Sequence, residues 1–149
     1  MVTMVMYLAQ NGADLDIRPN SCTLLHDLAD IREKVESYDK CIQLLITRGI
    51  DINEVVVFND KTKSALHLAA SKGNEKMVKS LIKSNCDVNI KVGYDKESVL
   101  SESIRRYQTA IVALLIEAGC DVNSADRNGV TPLMECVKVN AKYNKGSFF

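Results

Sequence analysis

The chain has 149 residues, 46% hydrophobic and 26% charged, a composition that suits one folded domain and excludes a disordered polymer. Nineteen basic and nineteen acidic groups cancel, which removes the general attraction that nucleic acid or an anionic membrane surface would need. Aromatics make up 5% and there is no Trp, so a core has to come from Leu, Ile, Val, Ala and Met.

Met1–Gln10 is apolar but lacks the basic start and the length of a signal peptide. Thr3–Asn11, before Gly12, fits a short amphipathic helix instead. No later stretch approaches the roughly 20 apolar residues of a membrane span. From here two phrases alternate along the chain. TLLHDLA at Thr23–Ala29 returns as SALHLAA at Ser64–Ala70, SVLSESI at Ser98–Ile104 and TPLMECV at Thr131–Val137, in steps of 41, 34 and 33 residues. Between them NGADLD at Asn11–Asp16 returns as RGIDIN at Arg48–Asn53, SNCDVN at Ser84–Asn89 and AGCDVN at Ala118–Asn123.

The second copy shows the local chemistry best. Leu66, Ala69 and Ala70 sit at helical spacing, with small residues where a neighbouring helix has to come close, and Gly73 ends that helix. Met77, Val78, Leu81 and Ile82 then form an i, i+1, i+4, i+5 stripe, the mark of a second amphipathic helix. Asn85 closes it where Gly12, Gly49 and Gly119 stand in the other copies, and Asn tolerates a left-handed backbone. Turn formers follow, clearest in Asp126–Gly129. Two short helices and a loop cannot bury an apolar face alone, so copies have to stack.

The unit resembles the ankyrin repeat, whose pattern runs turn, T-P-L-H-x-A-A, Gly, second helix, G-A-D-V-N. The resemblance implies an all-α solenoid of stacked helix-turn-helix units with protruding β-hairpin-like loops. It assigns residues 1–149 to one ankyrin-repeat domain, with a partial repeat at 1–16, repeats at about 17–53, 54–89 and 90–123, and a partial repeat at 124–149. Three departures stand out. Five extra residues fall within the Asp30–Asp39 stretch. The loop before Ser64 is about three residues longer than its counterpart and holds Val55-Val56-Val57-Phe58, which is either folded back on the stack or open to a partner. The third unit carries Ser101, Glu102 and Ser103 where the motif prefers His, Leu and Ala. Val5 and Leu8 at one end, Leu133 and Val137 at the other, are apolar where a solenoid needs polar caps. The expectation is a segment of a longer array or a truncated product, set against a small protein with frayed ends.

The resemblance also gives His26 and His67 a structural part: each would staple its turn to its helix through the hydroxyl three residues earlier, Thr23 or Ser64. Cys86 and Cys120 share a register position but belong to helices about 8–10 Å apart, too far for a disulfide. Cys22, Cys41, Cys86, Cys120 and Cys136 contain no C-x-x-C pair, and reduced thiols in a cytoplasmic or nuclear protein fit them best. Asp14, Asp51, Asp87 and Asp121 recur once per unit as turn formers. Asn53, Asn89 and Asn123, each with a Leu eight residues before, resemble substrates of the asparagine hydroxylase that modifies ankyrin repeats.

No catalytic, cofactor-binding or metal-binding pattern is present in the sequence. The expected function is a protein-interaction module, with an inhibitor that masks its partner, or a regulatory array in a larger protein, as alternatives. A monomer or part of a longer array is expected, without nucleic acid or membrane insertion. Family positions carried over residue by residue put the partner surface on loop tips and the concave helix face. The candidates are Phe58, Lys61, Lys63, Lys72, Tyr94, Lys96, Arg105, Arg106, Arg127 and Lys138. Lys72, Arg105, Arg106 and Lys138 would form a basic stripe for an acidic segment, with Tyr94 and Phe58 as apolar anchors.

Overall fold

The computed structural model describes residues 2–15, 18, 22–31 and 38–146. Helices α1 (Val2–Gln10), α2 (Leu24–Asp30) and α3 (Asp39–Thr47) come first. A hairpin of β1 (Val55–Phe58) and β2 (Lys61–Ser64) follows, then α4 (Ala65–Lys72) and α5 (Glu75–Lys83). A shorter hairpin, β3 (Lys91–Val92) and β4 (Glu97–Ser98), leads to α6 (Val99–Arg105), α7 (Thr109–Glu117) and α8 (Pro132–Gly146). The five-residue insertion expected within Asp30–Asp39 falls largely outside the described residues.

The helices form two rows. α2, α4, α6 and α8 pack side by side as a first row, and α1, α3, α5 and α7 as a second row behind them. The result is the stack of helix pairs that the resemblance implies, mostly helical with small hairpins projecting from one edge. The core runs between the rows through Leu25, Ile42, Leu45, Leu66, Met77, Leu81, Leu100, Ile111 and Leu115. In α5 the stripe buries Met77, Val78 and Leu81 completely, with Ile82 half-buried against the cluster, while Glu75, Lys76 and Lys79 stay in water.

Caps set the helix lengths. The Asn74 side chain accepts from the Met77 amide at 3.1 Å, and its NH2 donates to the Ile31 carbonyl (3.1 Å) and to the Tyr38 hydroxyl (3.2 Å). One side chain therefore starts α5 and ties it to the preceding unit. Gly73 (φ 71) and Asn85 (φ 61) take the left-handed conformation that ends α4 and α5. Tyr107 holds that conformation (φ 56) after α6, where the pattern has Gly73.

The histidines behave as staples. The Thr23 hydroxyl meets His26 Nδ1 at 2.7 Å and the Ser64 hydroxyl meets His67 Nδ1 at 2.8 Å, while His26 Nε2 reaches the Glu54 carbonyl at 3.1 Å. Ser98 and Ser101 replace this pair with a hydroxyl–hydroxyl bond of 3.2 Å. The recurring Asp residues close their loops: Asp51, Asp87 and Asp121 accept from the amides of Asn53, Asn89 and Asn123. The side-chain oxygens of Asn53 and Asn89 in turn accept from the amides of Asp87 (2.8 Å) and Asp121 (2.7 Å), one rung from each loop to the next.

The Val55–Phe58 run is divided between the two faces of its strand. Val56 is buried and Phe58 packs half-buried on the core, whereas Val55 and Val57 face solvent. Period-two alternation on a paired strand produces that split. No helix among the described residues is long and apolar enough to cross a membrane.

Candidate interaction surface

Among the described residues the projecting edge is built from three fingertips. The first turns at Asn59 and Asp60, both at positive φ, between β1 and β2. The second turns through Gly93–Lys96 between β3 and β4. The third is closed by Asp126, whose carboxylate accepts from the amides of Asn128 (2.8 Å) and Val130 (2.9 Å). Second and third tips are locked together. The Arg127 guanidinium lies 3.5 Å over the Tyr94 ring, the Arg127 amide donates to the Asp95 carbonyl at 2.8 Å, and the Lys91 ammonium donates to the Ala125 carbonyl at 2.8 Å. Such a stack is worth about 0.5–1 kcal/mol at an exposed site, and the backbone bond fixes its geometry. Between the first and second tips lies a cleft of about 260 Å3 lined by Asp60, Lys61, Tyr94 and Asp95, among others.

The ten candidate residues separate into two groups. Lys61, Tyr94, Lys96 and Arg127 stand exposed on the tips, Lys138 is exposed on α8, and Phe58 is half-buried at the foot of the first hairpin. The remainder carry internal ion pairs. Lys63 is a correction to the sequence expectation: alternation on β2 turns it inward, only 8% exposed, with its ammonium 2.5 Å from Glu102 and 3.9 Å from Glu97. Lys72 bonds Asp30 at 2.8 Å. Arg105 pairs with Glu97 and lies 3.7 Å from Glu135, and Arg106 lies 3.5 Å from Glu102. The basic stripe of helix ends is thus largely neutralised from within, and the outward positive charge sits on the fingertips.

Sequence reasoning missed the acidic half of this network. Glu102 is 4% exposed in a slot where the pattern has Leu, and a carboxylate at a core position demands a cation. That signal was available in the third unit.

Elsewhere the polar chemistry is quiet. Burial pulls the His26 imidazole below its ordinary range and, with the Lys63 charge adding to it, takes His67 down to about 3. Burial pushes the Cys86 thiol up to about 12 and raises Cys22, Cys41 and Cys120. All five cysteines are free thiols, Cys136 the exposed one.

Comparison with known proteins agrees with this architecture. The family profile described as "Ankyrin repeats (3 copies)" matches residues 1–92 and 66–144. A putative ankyrin repeat protein of Fowlpox virus (strain NVSL) is 30% identical over 97 residues, covering 64% of this chain and 14% of that protein. Dynein axonemal heavy chain 12 of Bos taurus is 32% identical over 90 residues, covering 56% of this chain and 24% of that protein. The chain therefore spans a minor part of the length of either relative. With the profile matching nearly every residue and the helix rows, staples and loops all in place, the chain belongs to the ankyrin repeat family.

Proposed function

We propose that the chain is a non-enzymatic protein-interaction module whose contact surface is the fingertip platform of Lys61, Tyr94, Lys96 and Arg127. Ankyrin repeats are generally protein-interaction modules. The observation that carries the finer reading is the Tyr94–Arg127 stack, which joins two separate tips into one preorganised surface. An aromatic anchor beside a fixed guanidinium is the composition of an interface hot spot, and preorganisation lowers the ordering cost of binding. The exposed cations on the tips suit an acidic partner segment, and the internally paired Lys72, Arg105 and Arg106 contribute little to its capture. Buried reduced thiols fit a cytoplasmic setting.

The test is a selection of binding peptides from a random display library on the immobilised chain. Asp- and Glu-rich peptides are expected. Lys96→Glu with Arg127→Glu should weaken them tenfold or more and flatten the salt dependence, and Tyr94→Ala should weaken them at all salt concentrations. Lys72→Glu should change affinity less than twofold. Tip variants that bind as tightly as the parent chain overturn the assignment.

A further inference from the structure

The three fingertips share one register. The residue four before the hydroxyl that starts each first-row helix (Ser64, Ser98, Thr131) is Asp60, Tyr94 and Arg127 in turn. At the second and third tips these register neighbours meet, with the Arg127 guanidinium 3.5 Å from the centroid of the Tyr94 ring. At the first and second tips they are an acid and the same ring, and the cleft of about 260 Å3 separates them.

Tyr94 lines that cleft and Arg127 does not. Arg127 takes one face of the ring from the side of the third tip, so the opposite face is turned toward the cleft. Tyr94 is still 76% exposed with Arg127 in place. Beside the ring stands Gly93, where an added Cβ would meet nothing within 4 Å. The charges around this space do not cancel. Lys63 is engaged by Glu102 at 2.5 Å, and Glu97 is paired with Arg105. The remaining charged lining groups are the exposed carboxylates of Asp60 and Asp95 against the one ammonium of Lys61.

We infer that the cleft takes one arginine side chain of a partner, its guanidinium laid on the Tyr94 face opposite Arg127 and bonded to Asp60 and Asp95. The chain itself shows what the ring holds, since a guanidinium already lies on its other face. A flat cation can stack on an aromatic face while its edge donates to carboxylates. An ammonium matches the carboxylates but cannot stack as a plane. The inference rests on the fingertip platform as the contact surface and refines its partner. The segment that lays acidic groups on Lys96 and Arg127 also carries an arginine for the cleft.

NMR titration of the isotope-labelled chain with Nα-acetyl-arginine amide tests this. Saturable shifts are expected at the amides of Asp60, Gly93, Tyr94 and Asp95. The lysine analogue should bind at least threefold more weakly, and the glutamate analogue should leave these amides unmoved. Asp60→Asn with Asp95→Asn should weaken the arginine probe fivefold or more, and so should Tyr94→Ala. All three side chains are exposed, and Asn keeps the left-handed turn at position 60. Lys96→Glu should leave the arginine probe bound as tightly or more tightly, although it weakens acidic peptides. The inference is overturned if the cleft amides do not shift, if the lysine analogue binds as tightly, or if binding survives these substitutions. Acidic peptides that still bind the tips would then leave the platform reading standing. Arginine binding without any acidic-peptide binding would remove that reading and keep the cleft.

Discussion

His67 shows at the level of one side chain how the repeat converts a titratable group into a structural one. Its ring is 1% exposed, bonded to Ser64, and held neutral by burial and by the nearby Lys63 charge. A free imidazole titrates near 6.5, and in the fold this one titrates at about 3. Between those values the unfolded chain binds a proton that the folded chain refuses. Stability is therefore full above about pH 6.5 and is lost as pH falls through that window, at up to about 1.4 kcal/mol per pH unit. Denaturant midpoints should fall between about pH 7 and about pH 5, above the range where ordinary carboxylates dominate. His67→Gln should flatten that slope, and an unchanged slope would remove His67 from the account. His26 is shifted in the same direction and should leave a residual slope.

Lys63 and Glu102 show the same economy between elements, where β2 of one unit meets α6 of the next. Each side chain is nearly sealed from water, and their 2.5 Å contact is the pair's main compensation. Lys63→Ala would strand a buried carboxylate with Arg106 3.5 Å away as its remaining cation among the described residues, at a cost of about 3–5 kcal/mol. Replacing both partners with apolar groups, Lys63→Met with Glu102→Leu, should come out near neutral. Urea unfolding of the two variants decides it, and equal losses in both would show that the ion pair itself stabilises. This pair also marks the border of what the sequence made legible. The helices, the left-handed Asn85 and the His–hydroxyl staples follow from residues three or four apart, whose mutual placement a helix dictates. Lys63 and Glu102 are 39 residues apart, as Lys72 and Asp30 are 42 apart. The period says which column each occupies, but strand alternation and the neighbouring column decide whether a cation meets water or a carboxylate. The fingertips were found as loops for the same local reasons. The Tyr94–Arg127 stack was not, because two loops of different units had to be placed side by side first.

At the scale of the whole molecule, each unit touches only its neighbours, so stability is the sum of units and the contacts between them. α4, α5 and α6 have helix pairs on both sides, while α1 and α8 have one flank open. Hydrogen exchange should therefore be slowest in α4–α6 and fastest in α1 and in the later turns of α8. Uniform protection along the chain would instead indicate a single cooperative block. The rungs between loops give this linear stack a polarity. In each rung the earlier loop offers a side-chain oxygen from Asn53 or Asn89, and the later loop offers a backbone N–H from Asp87 or Asp121. Acceptor and donor hold the same places in both rungs, so the ladder has one direction along the stack. Such a ladder is directional like a one-way track: in both rungs the earlier loop supplies the oxygen and the later one the N–H.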